Sequence, residues 1–382
     1  MKTMRKLAII GASELQEPLI LKAKSMGVET HVFAWAAGDV GEKSADVFYP
    51  ISIVEKEKIL EVCREVGVDG ICSIASDLAM ITVGYVADAL GLVGNTPDAV
   101  ERSTNKHLMR AAFERGGDPS PRSILADADT DLDALDLTYP VIVKPTDRSG
   151  SRGIFKLEGP ELLSSAVEAA LGQSFEKKVL IEEFAGGREY SVEFISYRGD
   201  HRFLALTQKF TTGAPHFIET GHLEPAQVNA ETLERVKAVV VHALDTLGLK
   251  NGASHSELKI DEDGRIRIIE IGGRMGGDFI GSDLVELSTG YDFVRAVAEV
   301  ALGEKPALPE SIAPKAASAV RFIFSAADAE AFARLQREHP EFIVDSDIRP
   351  CGGEVTDSSN RFGHFLMRAG TAAELLPYLP AE

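Results

Sequence analysis

Apolar and polar positions along the chain switch between two periods, and the switches mark out its elements. Residues 6–10 are an apolar run of strand length, Gly11-Ala12-Ser13 offers a turn, a helical stretch follows to Met26, and residues 29–35 read as the next strand. The alternation continues with a strand at 45–49, a helix at 54–66, a strand at 70–74 and a helix at 77–90. Consecutive strand–helix units bury both faces of a parallel sheet, so residues 1–95 are predicted to form a doubly wound, Rossmann-like α/β domain. A dinucleotide site would need Gly-x-Gly-x-x-Gly at the first turn, and only Gly11 stands there.

The middle of the chain has a different texture. Ser103-Thr104-Asn105 supplies helix caps, and Lys106 falls in the first turn of a helix that Gly116-Gly117-Asp118-Pro119 ends. Residues 127–136 are acidic and polar, a solvated helix and loop. Residues 140–144 form a strand that ends on Lys144 and is stopped by Pro145, and a small-residue loop with two arginines follows at 147–153. Strands are predicted at 154–157, 178–183 and 190–196, helices at 160–171 and 230–248, and a loop rich in glycine, proline and histidine at 211–225. After a helix at 293–302 and a linker at 303–314, strand, helix and strand recur at 319–324, 327–338 and 342–348. A glycine-containing hairpin around 352–353 and 361–367 completes a small C-terminal α+β subdomain. The expected domains are therefore 1–95, 96–305 with a lid at about 120–198, and 306–382.

The most informative segment is a predicted hairpin over 254–273. Asp263-Gly264 is a strong two-residue turn signal between two β-rich runs. With that turn, Glu262 faces Arg265 and Glu257 falls opposite Glu270. Directly paired carboxylates repel, and a cation gripped by both removes the penalty. Arg274 follows in Gly272-Gly273-Arg274-Met275-Gly276-Gly277, where backbone can approach a phosphate closely and a fixed positive charge is carried along. His255 is read as packing, on the face opposite Glu257.

Composition narrows the function. Of 382 residues 45% are hydrophobic, and forty Lys and Arg stand against fifty-nine Asp and Glu, a net charge of −19. Binding to nucleic acid or to anionic membrane surfaces rests on Lys and Arg, so neither partner is expected. Cys63, Cys72 and Cys351 lack metal-type spacing and are too few for a disulfide framework. No run of about 18 apolar residues occurs, and the one near the N-terminus is too short for a signal peptide, so a cytoplasmic protein is expected.

A lysine at a strand end beside a Ser/Gly loop is the chemistry of a polyphosphate site, although no P-loop motif is present. The order of the pieces carries more weight than any one of them. Lys106 on a helix, Lys144 on a strand, the Ser/Gly loop, Glu182-Glu183-Phe184 at a strand end, Glu189, then Glu257, Glu270 and Arg274 together resemble the ATP-grasp superfamily over about residues 96–300. Within it, residues 270–278 are most similar to the L-amino-acid ligases that make dipeptides.

The resemblance implies an ATP-grasp fold and a carboxylate–amine ligase. Lys106 and Lys144 would contact the α- and β-phosphates, and Ser149, Gly150 and Ser151 would close over the β- and γ-phosphates. Glu182, with the backbone of Glu183 and Phe184, would read the adenine edge, and Glu189 the ribose. Glu257 and Glu270 would hold Mg²⁺, or Mn²⁺, and Arg274 with Lys144 would serve the reacting groups. His216, Glu219, His222, Gly276 and Gly277 are the candidate substrate contacts, with Arg274 or Arg321 facing a substrate carboxylate and residues 360–364 lining the site. The substrates would be a small carboxylate and an amine, in a possible homodimer. A bicarbonate-using carboxylating enzyme and a nucleotide-binding protein without turnover are the competing readings. One departure is plain: the family often has asparagine two residues after the second glutamate, and here that residue is Gly272.

Overall fold

The computed structural model describes residues 4–148, 153–214 and 217–381, and the strands among them fall into three sheets. The first is parallel. β1 (Lys6–Ile10), β2 (Glu29–Phe33), β3 (Val47–Tyr49) and β4 (Gly70–Cys72) lie in the order β3-β2-β1-β4. The continuous apolar runs have a simple cause: Leu7 and Ile9 enter one core, while Ala8 and Ile10 enter another on the opposite face with Phe33 and Ile59. The chain order reverses between β1 and β4, and the carboxyl ends there open a crevice. Just beyond β4, Ala75 N–H donates to Met275 O at 3.2 Å, fastening that crevice to the far end of the chain.

The second sheet is antiparallel, with β5 (Ser123–Ala126), β6 (Val141–Pro145), β7 (Phe155–Leu157) and β8 (Val179–Glu183) in the order β5-β8-β6-β7. Val141, Val143, Val179 and Ile181 pack with Leu163, Ala166, Val167 and Ala170 from the helix Leu163–Gln173. Residues 127–136, read as helix and loop, hold a short 3₁₀ turn at Leu132–Ala134.

The third sheet has eight strands. They are β9 (Arg188–Tyr197), β10 (Asp200–Thr211), β11 (Glu219–Glu224), β12 (Gly252–Ile260), β13 (Ile266–Gly272), β14 (Ala317–Phe322), β15 (Ile343–Ile348) and β16 (Gly363–Ala369). Their order is β13-β12-β9-β10-β11-β14-β16-β15. β9, which falls within the expected lid at about 120–198, thus belongs here and not to the second sheet, and the C-terminal strands continue the same sheet through the β11–β14 pairing. The expected loop at 211–225 is half strand. β11 is held on both sides, by β10 and β14, so pairing overrides the weak strand propensity of Gly221 and Glu224.

Strand period fixes the character of the two faces. Tyr190, Val192, Phe194, Leu206, Leu258 and Ile268 point one way and pack on Val236, Val240, Leu244 and Leu247 of the helix Ala230–Leu247. The intervening polar residues, among them Glu189, Glu193, His255, Glu257 and Lys209, point the other way.

The β12–β13 hairpin pairs Glu257 with Glu270, as its sequence leads one to expect, but by another route. Asp261 N–H donates to Arg265 O at 3.1 Å and Gly264 N–H to Asp261 O at 2.9 Å, so the loop has three residues with Gly264 at φ +75°. That geometry is the turn-plus-αL hairpin, not the two-residue turn. It offsets the register by one, and a bulge at Ile269, between the pairs Leu258–Ile268 and Glu257–Glu270, restores it.

Candidate active site

The cleft between the eight-stranded sheet and the second sheet has a floor built from ladder rows. Lys209, Glu189 and Lys259 are aligned across β10, β9 and β12, and the next row holds Ser191, Glu257 and Glu270. A third row sets Glu193 beside His255 and Gly272. His255 is two residues from Glu257 and therefore on the same face, which corrects the packing role expected for it. Its Nδ1 lies within hydrogen-bonding distance of Glu193 and its Nε2 is 3.4 Å from Glu257 Oε1.

Lys209 anchors this floor. It reaches Glu257 at 2.7 Å, Glu189 at 3.1 Å and Glu219 at 3.5 Å. Burial pushes its ammonium down, yet Glu257, Glu189 and Glu219 together hold it well above its ordinary value. Burial works against the Glu257 carboxylate, but Lys209 and His255 keep it well below the usual range. Burial also lowers His255, and Glu193 outweighs that, raising it to about 9.

The second sheet and the helix Lys106–Gly116 supply the other cations. Lys144, at the end of β6, is buried and bonds Glu182 of β8, while Arg110 holds the same carboxylate at 3.1 Å. Burial dominates at Lys144 and lowers its pKa despite Glu182. Asn105 caps the helix by accepting from His107 and Leu108 N–H, which fixes Lys106 in the first turn. Lys106 Nζ donates to Glu270 Oε1 at 2.9 Å and to Arg148 O at 2.7 Å. Arg110, one turn beyond Lys106, shares its face.

Arg274 lies just past β13. Its Nε and Nη2 each donate to Asp77 at 2.9 Å, a bidentate pair, and burial of the guanidinium is outweighed by that carboxylate, which raises its pKa. Gly276 N–H donates to Glu193 Oε2 at 3.1 Å, and a Cβ at Gly277 would lie 3.4 Å from Ala75.

The structure brings most of the expected residues to one cleft. Lys106, Lys144, Glu182, Glu183, Phe184 and Glu189 line it, and so do Glu219, Glu257, Glu270 and Arg274. Ser149, Gly150, Ser151 and His216 lie outside the described residues. Glu182 is the counter-ion of Lys144 and Arg110, and the N–H groups of Glu183 and Phe184 already donate to Arg122 O and Pro140 O. His222 is fully buried against Phe322, with both ring nitrogens unpaired among the described residues, and does not line the cleft. Arg321 turns away, to Asp328 at 2.7 Å and Tyr378 O at 2.9 Å. From residues 360–364, Arg361 does approach: it meets Asp278 at 2.8 Å and Glu219 at 3.3 Å, and its guanidinium lies 3.8 Å over the Phe322 ring. Burial, with Asp278 and Glu257 nearby, raises Glu219.

Sequence reasoning did not single out Asp77, Arg110, Glu193 or Lys209. Lys209 had a signal, a cation inside an apolar strand run at period two from polar neighbours. Arg110 had one as well, four residues after Lys106 on a helix.

The carboxylates of Glu257 and Glu270 fit a hard divalent cation. Each uses Oε1 toward lysine or histidine, and neither Oε2 has a hydrogen-bond partner among the described residues. Among those residues no group of three or more His, Cys, Asp or Glu converges on a metal position. Two carboxylates with phosphate and water oxygens in the remaining positions is the habit of Mg²⁺.

With this geometry established, likeness to known proteins becomes informative. Residues 137–283 match the family model of the ATP-grasp domain. The chain superposes on the crystal structure of an L-amino acid ligase from Bacillus licheniformis with a TM-score of 0.84 and 23% identity, over 99% of this chain and 96% of that one. An uncharacterized protein, y4rH, of Sinorhizobium fredii is 29% identical over 238 residues, 60% of this chain and 48% of its own length. Alanine–anticapsin ligase of Bacillus subtilis is 26% identical over 250 residues, 58% of this chain and 52% of its own length. The chain spans about half the length of these curated relatives. No helix among the described residues is long and apolar enough to cross a membrane.

Proposed function

We propose that the protein is an ATP-dependent carboxylate–amine ligase acting on amino acids. The observation that carries this reading is the convergence of Lys106, Lys144 and Arg274 on a cleft floored by the facing pair Glu257 and Glu270. Phosphoryl transfer leaves little covalent work to a protein, so positioning and charge neutralisation carry it. A carboxylate oxygen of the first substrate attacks the γ-phosphorus of ATP, the bond to the β–γ bridging oxygen breaks, and ADP leaves. The amine then attacks the carbonyl carbon of the acyl phosphate, and phosphate departs with one former carboxylate oxygen.

In this scheme Lys144 and Lys106 hold phosphate oxygens. Glu257 and Glu270 would hold Mg²⁺, whose charge would offset that of the transferred phosphoryl group. Arg274 faces the carboxylate where negative charge gathers, and Glu219, with a raised pKa, sits where a substrate ammonium needs an acceptor. His222 acts from behind this wall by packing. The second sheet, as a lid, excludes water from the acyl phosphate. The likeness to L-amino acid ligase and alanine–anticapsin ligase supports amino acids as the substrate class.

The test is ADP and phosphate release with Mg·ATP against amino acids singly and in pairs, with bicarbonate as a separate arm. The proposal expects release that depends on amino acids and a product mass matching a condensed pair. Release that depends on bicarbonate alone would replace the reading with a carboxylating one.

A further inference from the structure

The glycine at position 272 is explained by a residue from the other end of the chain. Gly272 lies within β13, paired with His255, and its backbone is not left-handed, so conformation does not demand glycine there. Space does. A Cβ on Gly272 would fall 2.6 Å from Asp77 Oδ1 and 3.2 Å from Arg274 Nε. The space that a side chain at 272 would take is filled by a carboxylate that enters from the helix Asp77–Leu90.

Asp77 is the first residue of the helix Asp77–Leu90, just after the crevice at the end of β4, and Ser76 caps that helix by accepting Ala79 N–H. The Ala75–Met275 backbone bond stitches the same two segments one step away. Asp77 takes the Nε hydrogen and one Nη2 hydrogen of Arg274, and Met275 O lies 3.3 Å from Nη1. An arginine has five N–H donors. One Nη1 hydrogen and one Nη2 hydrogen stay uncommitted among the described residues, presented by a guanidinium that is no longer free to swing.

We propose that Asp77 is a positioning residue, whose carboxylate fixes the Arg274 guanidinium in the cleft, and that residue 272 is glycine to leave room for it. The kinetic half of this proposal rests on the ligase reading; the packing half stands without it.

Asp77→Asn keeps the shape of the side chain and removes its charge. Its kcat is expected to fall about tenfold or more, with KM for ATP within about twofold, alongside a lower melting temperature because the buried guanidinium loses its counter-charge. A purely structural contact would lower the melting temperature and spare kcat, and that result would overturn the positioning role. The packing half is read by a double-mutant cycle of Gly272→Ala and Asp77→Ala. Gly272→Ala alone drives a methyl against the carboxylate and lowers the melting temperature. In the Asp77→Ala background the same methyl meets only the movable end of Arg274, so no further loss is expected. Additive shifts would overturn it. Because unfolding is measured without turnover, a wild-type protein with no amino-acid-dependent ADP release would sink the ligase reading while the double-mutant cycle still decides the packing.

Discussion

Charge at the site is distributed residue by residue, and each group is set by its neighbours. Lys144 is buried with Glu182 and Arg110, so removing its ammonium leaves the carboxylate to Arg110 alone. Lys144→Met should lower kcat/KM by about a hundredfold, because a cation aimed at developing charge in a water-poor site is worth that much. Far less loss in steady-state assays would remove Lys144 from the phosphate site. Glu270→Gln changes charge and almost nothing in shape. Magnesium-dependent turnover should fall by at least about a hundredfold while the circular-dichroism melt is unchanged, and wild-type activity in that variant would refute the metal assignment. Lys144 was legible in the chain because it ends a strand, and Glu270 because a marked turn sets it opposite Glu257. Asp77 was not, since nothing within its own helix signals that it meets Arg274 from the far end of the sequence.

Elements place those residues, and two of them give tests of their own. The cap at Asn105 precedes Lys106, so Asn105→Ala should cost about 1 kcal/mol in a denaturant titration and raise KM for ATP as Lys106 frays. An unchanged midpoint would show that the cap is idle. Glu224, in β11, accepts from Ser288 and Thr207, but burial is the larger influence and pushes its carboxyl up to about 7. The folded protein therefore holds this proton between pH 4.5 and 7, where the unfolded chain has released it. The contribution is fully present below the unfolded value and is lost as pH rises through that window, up to about 3 kcal/mol. Glu224→Gln should flatten the fall in melting temperature between those pH values; an unaltered slope would contradict the burial argument. β11 also shows what the sequence hides. Glycine and glutamate have little strand character of their own, and only pairing with β10 and β14 makes this segment a strand. The β12–β13 hairpin was legible because Asp263-Gly264 is a local signal, although the three-residue loop and the compensating bulge at Ile269 were not.

At the scale of the whole molecule, the cleft exists because three sheets meet around it. The alternation of strands and helices foretold the parallel sheet, and the change of pattern after Tyr139 falls within the second sheet, between β5 and β6. Joining the C-terminal strands to the central sheet through β11 and β14 was invisible, since strand neighbours that far apart leave no periodic trace. The architecture sets Glu257, Glu270, Lys144 and Arg274 around one space, and the proposed function makes one chemical commitment there, that a carboxylate is activated by phosphorylation. Oxygen tracing tests it most directly. With ¹⁸O in the carboxylate of the amino-acid substrate and unlabelled water, each turnover should deliver one ¹⁸O into the released phosphate, with ADP as the nucleotide product. Phosphate without the label, or AMP in place of ADP, would contradict the account.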